Sequence, residues 1–182
     1  MKICKLSPLL VILFGAVFAF AFSTTSLRAQ SGSDASMSDK HFVSEAIKGG
    51  MAEVEMGRLA EEKGTSSDVK EFGRHMVNDH TNLGDQIRQV ASQAGVSAPT
   101  SPTMLEQIEI KKLRGLAGEE FDHEYIKAML KDHEEDLKDF KKEADTGTSS
   151  LVKNAANHGA EVISSHLSMI KQIAQAHNIA MK

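Results

Sequence analysis

The segment GTSSDVKEFGRH at residues 64–75 returns as GTSSLVKNAANH at residues 147–158, an offset of 83 residues. In both copies, a Gly suited to ending one helix precedes Thr and Ser residues suited to capping the next helix. The same offset pairs Phe42 with Tyr125, so the helix before each turn is repeated as well. The sequence therefore predicts two αα-hairpins.

Apolar residues at three- and four-residue spacing extend each turn into a pair of long helices. We expect these helices at about 39–63, 66–94, 119–145 and 149–178. The connection over residues 95–118 contains Pro99 and Pro102, which prevent one continuous helix, and its residues 103–114 suit a short helix. A connection of this length can cross a bundle from end to end. The predicted fold is all-α, with a four-helix-bundle domain over residues 38–179.

The N-terminal segment has the pattern of a secretory signal peptide over residues 1–29. Two lysines precede an apolar run from residue 9 to residue 22, and Ala29 ends a plausible cleavage site. The run is short for a membrane span, although retention as an uncleaved anchor is the alternative. We therefore expect export to the periplasm or the medium, with residues 30–37 as a flexible polar tether.

Charge and cysteine content exclude several classes of function. The chain has 21 basic and 25 acidic residues, and loss of residues 1–29 removes three basic residues, which leaves a net charge of −7. This balance argues against nucleic acid or anionic lipid as a partner. The single cysteine, Cys4, lies in the predicted signal peptide, so the mature chain has no disulfide and no thiol nucleophile. Nucleotide-binding loops and the GxSxG nucleophile elbow are absent from the sequence.

One titratable residue interrupts the apolar stripe of each long helix: Glu53, His80, His133 and His166. In the first helix the stripe includes Phe42, Ala46 and Gly49, and in the fourth it includes Ala155, Val162, Met169, Ile173 and Ala176. If the crossover puts the two turns at opposite ends, a rise of about 1.5 Å per residue brings all four titratable residues within about one and a half helical turns. The pattern predicts a polar layer at the middle of the bundle.

Three imidazoles and one carboxylate match the ligands that zinc, iron or copper prefer. The first hypothesis is therefore a site for one such ion, with Glu53, His80, His133 and His166 as ligands. The alternative is a buried hydrogen-bonded network that fixes helix register. A shared polar layer would explain the common height equally well.

Other polar or soft side chains lie near the same stripes. Asp79 and Asp132 each precede a histidine of the layer, and we expect them to support a ligand or to lie at the surface. Tyr125 is a further candidate for an inward polar group. The stripes also carry four methionines, which suit copper(I) or serve as ordinary core residues: Met56, Met76, Met129 and Met169.

Several of these segments together resemble the exported bacterial proteins grouped as domain of unknown function 4142, often labelled as outer-membrane proteins. The resemblance rests on DKHFVSEAIKGGMAEVEMGRLA at 39–60, SSDVKEFGRHMVNDH at 66–80, FDHEYIKAMLKDH at 121–133 and the late His166. It implies a ferritin-like four-helix bundle and supplies no activity. Ferritin-like di-iron sites use a Glu-x-x-His motif in two helices, whereas Val77 and Ile163 stand three residues before His80 and His166. A di-iron oxidase is therefore disfavoured.

Three functions remain open from the sequence. The leading prediction is a non-enzymatic binding or stress-related protein of the cell envelope, whose polar cluster holds one metal ion. A metal-dependent enzyme using the same cluster is the second, and it requires an open coordination position that solvent can reach. The third is a purely structural bundle that binds no metal and pairs with a protein partner or a second copy.

Overall fold

Five helices make up the computed structural model, which describes residues 35–180. They are α1 (Met37–Lys63), α2 (Ser67–Ala94), α3 (Met104–Gly115), α4 (Gly118–Thr146) and α5 (Ser150–Ala176). No strand occurs in this range, so the all-α class is confirmed. Ser36 caps α1, so the last residues of the predicted tether belong to the start of that helix. The predicted signal peptide and residues 30–34 lie outside the described range.

The predicted crossover is confirmed by the contacts at the helix ends. α1 packs along α2, and α4 packs along α5, as two hairpins. Asp122, in the first turn of α4, accepts hydrogen bonds from the backbone N–H groups of Thr65 and Ser66 in the α1–α2 turn, at 2.9 and 2.8 Å. α4 therefore starts where α1 ends and runs in the same direction as α2. The connection that contains α3 must span the length of the bundle.

Asp39 makes the matching contact at the other end of the bundle. Its carboxylate accepts hydrogen bonds from the backbone N–H groups of Thr148 and Ser149 in the α4–α5 turn, at 3.0 and 3.1 Å. Burial raises the pKa of Asp39, but the hydrogen bonds from Thr148 and Ser36 outweigh this effect and lower it overall. Asp39 and Asp122 are themselves 83 residues apart. Each hairpin thus closes the turn of the other with an equivalent carboxylate, and we call these two residues the clasp aspartates.

The apolar core divides into two clusters on either side of the middle of the bundle. The cluster nearer the α1–α2 turn includes Phe72, Phe121 and Ile170. The cluster nearer the α4–α5 turn includes Val43 and Phe140. Among the described residues, none of the helices carries an apolar stretch long enough to cross a membrane.

Two of the predicted apolar stripes are only partly correct. The stripe of α2 is buried as expected, but in α1 the residues Phe42, Ala46 and Gly49 are only half-buried, whereas Val43 and Ile47 are buried. In α5, Ala155, Val162, Met169 and Ile173 are half-buried and Ala176 is exposed, and the buried face instead includes Ala156, Ile163, Leu167, Ile170 and Ala174. In both helices the buried positions follow the predicted ones by one residue, so the buried face is rotated by about 100 degrees from the predicted stripe.

Candidate metal centre

The four residues predicted to share a layer meet at the middle of the bundle, one from each long helix. Glu53 comes from α1, His80 from α2, His133 from α4 and His166 from α5, and none is more than 4% exposed. One nitrogen from each histidine lies within 4.8 Å of a nitrogen of the other two. We call these four residues the Glu–His layer. The up-down-down-up order of the helices brings them to one height, as the counting from the turns requires.

His80 joins two other members of the layer. Its Nδ1 lies 2.8 Å from Glu53 Oε2. Its Nε2 lies 3.1 Å from His166 Nδ1. Burial lowers the pKa of His80 to about 4, so its ring is neutral near pH 7. Glu53 therefore orients a neutral imidazole whose second nitrogen points at another histidine.

His166 is oriented from the opposite side by Asp79. Its Nε2 lies 2.9 Å from Asp79 Oδ2, and the Asp79 side chain is 42% exposed. Asp79 therefore supports a histidine of the layer. That histidine is on α5, whereas Asp79 and the adjacent His80 are both on α2. Asp132 is half-buried, and burial raises its pKa to about 6.

His133 has one satisfied nitrogen and one unsatisfied nitrogen. Its Nδ1 lies 3.0 Å from the carbonyl oxygen of Met129. Since a carbonyl can only accept, Nδ1 carries the proton and Nε2 of the neutral ring carries a lone pair. Burial, followed by repulsion from the other two histidines, lowers the pKa of His133. Its Nε2 is buried 3.7 Å from Glu53 Oε1, and neither atom has a hydrogen-bond partner among residues 35–180.

The hydrogen-bond partners decide where the remaining lone pairs point. Without metal, a proton on Glu53 gives a consistent chain, in which Glu53 donates to His80, His80 donates to His166, and His166 donates to Asp79. Burial, followed by the charges of Asp132 and Glu106, raises the pKa of Glu53, which favours that proton. This chain leaves His133 Nε2 without a partner. A buried acceptor in that condition costs about 1–3 kcal/mol.

A cation would satisfy all of these groups at once. If Glu53 is ionised, it accepts from His80 Nδ1–H, and Asp79 accepts from His166 Nε2–H. His80 Nε2, His166 Nδ1 and His133 Nε2 then each carry a free lone pair, in a cluster whose histidine nitrogens lie within 4.8 Å of one another. Histidines that bind metal characteristically donate their outer N–H to a carboxylate or carbonyl, which fixes the tautomer and the ring orientation. All three histidines have such a partner, so the donor set suits a single transition-metal ion.

The other candidates from the sequence lie outside this donor set. The Tyr125 hydroxyl is buried with no hydrogen-bond partner in the described part of the chain, and its ring stacks on Phe121. Burial is the main reason that its pKa is raised. The methionines Met56, Met76 and Met129 belong to the buried apolar cluster nearer the α1–α2 turn, and Met169 packs against it. Their packing matches the ordinary core role.

A cavity of about 460 Å³ adjoins the layer and is lined by both Glu53 and His80. Asp136, another of its lining residues, was not a candidate in the sequence analysis. Burial, followed by the charge of Glu53, raises the pKa of Asp136 to about 8. The signal for it was present, because Asp136 follows Glu53 by the repeat offset of 83 residues. The buried Glu–His layer is therefore bordered by a cavity that is lined by carboxyl groups.

Fold and site together define a helical-bundle protein with a buried three-histidine cluster. Residues 24–173 match the family described as a domain of unknown function (DUF4142), and the chain belongs to that family. No curated protein is significantly similar to it in sequence.

Solved structures with similar folds include two DUF305 proteins and CopM. A DUF305 fragment from Deinococcus radiodurans has a TM-score of 0.69 and 10% identity, over 79% of this chain and 99% of that one. A DUF305 protein from Streptomyces coelicolor, described as secreted, has a TM-score of 0.66 and 15% identity, over 79% and 96%. CopM in its Cu(I)-bound form has a TM-score of 0.63 and 17% identity, over 76% and 96%. At these identities the similarity establishes the fold alone.

Proposed function

We propose that this protein is an exported metal-binding protein of the cell envelope, which holds one transition-metal ion through His80, His133 and His166. Glu53 and Asp79 orient two of the rings, and Glu53 supplies a negative charge beside the ion. The observation that carries the proposal is the buried, unpartnered Nε2 of His133, which lies in a cluster whose other two inward nitrogens can also present lone pairs.

The buried histidines offer neutral nitrogens to a metal ion. Burial lowers the pKa values of His80, His133 and His166, so the histidines take up protons poorly near neutral pH. When a metal binds, it displaces the proton from Glu53, because the carboxylate must then accept from His80. Metal uptake should therefore release about one proton per ion.

Copper, zinc and iron are the ions that this donor set suits. The Cu(I)-bound form of CopM, a protein with a similar fold, supports testing copper(I) first. The N-terminal signal pattern and the secreted DUF305 neighbour support export. Copper and zinc would be encountered in that compartment, where a binding protein without thiols avoids oxidative loss of its ligands.

The test is the metal content of the exported protein. The full-length chain is expressed with its own N-terminal segment, purified from the periplasm without a His tag, and measured by inductively coupled plasma mass spectrometry. We expect about one equivalent of copper, zinc or iron, either as purified or after incubation with each ion. The variant with His80→Ala and His133→Ala should lose it.

The matched control replaces two exposed histidines, as His75→Ala and His123→Ala, and should retain the metal. Circular dichroism of every variant separates loss of the site from loss of the fold, and the single variant His133→Gln provides a milder change. Absence of metal from the folded wild-type protein under all conditions would refute the proposal. Retention of metal in the folded His80 and His133 double variant would refute this ligand set.

A metal-dependent enzyme is the second candidate, and the cavity beside His80 and Glu53 is the observation that favours it. Catalysis needs an open coordination position that a substrate can reach. A binding protein needs only a route for the ion. Turnover of hydrolytic or redox substrates by the metal-loaded protein, lost in His133→Gln, would favour the enzyme.

A further inference from the structure

The cavity beside the Glu–His layer is strongly acidic. Its lining includes six carboxyl side chains and one lysine, Lys142. The six are Glu45, Glu53, Glu106, Asp136, Asp139 and Glu143. A cleft with one sign of charge and low-dielectric walls concentrates ions of the opposite sign. Burial raises the pKa values of Glu53, Asp136 and Glu143, so these three add to the charge only after losing a proton, and the lining as a whole offers oxygen ligands to a cation.

Side chains on α4 form a path from the solvent towards the layer. Asp139 is exposed, Asp136 is half-buried and His133 is completely buried. Residues three apart on a helix are surface neighbours, and each step advances about 4.5 Å along the axis. A cation moving along this face meets a ligand at every step.

Glu53 connects the inner end of the cavity to the histidines, and a hydrogen bond from the Asp136 side chain partly offsets the rise in its pKa that burial causes. Glu53 is 4% exposed and lines the cavity, and its Oε1 has no hydrogen-bond partner within the described range. The other oxygen of the same carboxylate lies 2.8 Å from His80 Nδ1. Glu53 thus lines the cavity while its two oxygens approach two ligand histidines, Oε2 at His80 and Oε1 at His133.

Glycines keep the wall of this cavity open. Gly49 and Gly50 lie in the interior of α1, where glycine costs about 0.5–1 kcal/mol relative to alanine. A Cβ atom at Gly50 would meet no atom within 4 Å, and one at Gly49 would meet only Glu106 Oε1, at 3.8 Å. By contrast, a Cβ at Gly57 would lie 2.9 Å from the carbonyl oxygen of Gly73, so that glycine permits close helix packing. Gly49 and Gly50 border empty space instead.

We propose that this cavity is the route by which a transition-metal cation enters and leaves the three-histidine cluster. Asp139 and Asp136 act as successive transient ligands, and Glu53 passes the ion to the imidazoles. The inference rests on the proposed function, and it specifies that the bound ion is exchangeable rather than permanently enclosed. A second depression reaches the cluster from the α2–α5 side, near His158, Ser165 and His166. There, however, His166 Nε2 is already engaged by Asp79.

The test measures how fast metal enters and leaves. Apo-protein is mixed with Zn²⁺ or Cu⁺ held by a chromophoric chelator, and release is measured by adding an excess of a competing chelator to the loaded protein. Gly50→Leu places a side chain in the cavity and should slow loading and release by the same factor, at least tenfold, without changing the stoichiometry. Gly50→Ala is the matched control and should behave like the wild type. Gly84→Leu also places a side chain in this cavity, from α2. It provides the same test if Gly50→Leu does not fold.

Two further variants separate this route from the alternative. Asp139→Asn, at the exposed end of this path, should slow loading severalfold at low salt and reduce the dependence of the loading rate on ionic strength. Ser165→Leu fills the depression on the α2–α5 side and should leave both rates unchanged. If Gly50→Leu and Gly84→Leu both exchange metal at the wild-type rate, the proposed route is wrong. It is also wrong if only Ser165→Leu slows exchange. Either result would leave the metal site itself intact. A wild-type protein that binds no metal would instead remove the proposed function itself.

Discussion

Replacing Asp122 by alanine tests whether the clasp aspartates hold the two hairpins in register. Asp122 is 3% exposed, and its carboxylate accepts hydrogen bonds of 2.9 and 2.8 Å from two backbone N–H groups of the α1–α2 turn. These donors start α2 and have no helical carbonyl to bond. The substitution removes both acceptors and leaves a cavity at the contact between the hairpins.

The expected loss follows from the number and type of the bonds. A hydrogen bond to a charged group contributes about 1.5–3 kcal/mol. Thr65 is exposed and Ser66 is half-buried, so water can replace part of the loss. The free energy of unfolding should therefore fall by about 2–4 kcal/mol for Asp122→Ala, which corresponds to a decrease in Tm of roughly 4–16 °C in a domain of this size.

The assay is urea and thermal unfolding of the metal-free protein, followed by circular dichroism. Asp39→Ala should cost a comparable amount, and the double variant should lose the sum of the two, because α1, with its 27 residues, separates the sites by about 40 Å. The exposed Asp145 provides a control, as Asp145→Ala, with little effect expected. A loss below about 0.5 kcal/mol for Asp122→Ala would refute the clasp, since that is the range of ordinary surface substitutions.

Two further predictions concern the α4–α5 end of the bundle. Burial and the neighbouring Asp39 raise the pKa of Glu143 to about 7, so its stabilising contribution is present below its ordinary pKa and is lost as the pH rises towards and through 7. Between pH 5 and pH 8 the free energy of unfolding of the wild type should therefore fall by about 1–3 kcal/mol more than that of Glu143→Gln. Urea unfolding at each pH measures both values. Parallel changes of the two free energies with pH would contradict the prediction. Gly159→Ala should destabilise the protein by about 1–3 kcal/mol, because its Cβ would lie 2.5 Å from Cδ1 of the Phe140 ring. Gly50→Ala should instead stabilise it by about 0.5–1 kcal/mol. Equal changes in Tm for the two variants would refute this distinction.

The sequence repeat was sufficient to predict the fold because it carries both turns and the helices before them. The length of the connection, residues 95–118, then allowed it to cross the bundle between the two hairpins. The buried faces of α1 and α5 were harder to predict. In α5 a second apolar series runs one residue further on, through Ala156, Ile163, Ile170 and Ala174, and spacing alone does not select between the two series. The clasp aspartates escaped notice because they lie at helix ends, where no apolar stripe marks them.

The residues of the candidate site could be selected from the sequence, but their bonding could not. Counting from the turns gave the height of Glu53, His80, His133 and His166, because the rise per residue is constant. The partner of each ring nitrogen depends on side-chain direction across helices, and sequence spacing does not specify it. Asp79 illustrates the difference, since it orients His166 on α5 rather than a residue on its own helix. Asp136 was accessible only by applying the repeat offset to Glu53.

The duplication also explains why the cavity opens on one side of the layer. Two equivalent hairpins have equivalent faces at the middle of the bundle, and the offset of 83 keeps a carboxylate on both, as Glu53 and Asp136. The histidines break this equivalence, because their counterparts are small or apolar: Ile163 for His80, Gly50 for His133 and Leu83 for His166. Where α4 places an imidazole in the core, α1 places a glycine with no atom within 4 Å of its missing Cβ. His133 therefore supplies a donor from one hairpin, and its counterpart Gly50 leaves space in the other hairpin. Through that space an ion can approach the donor.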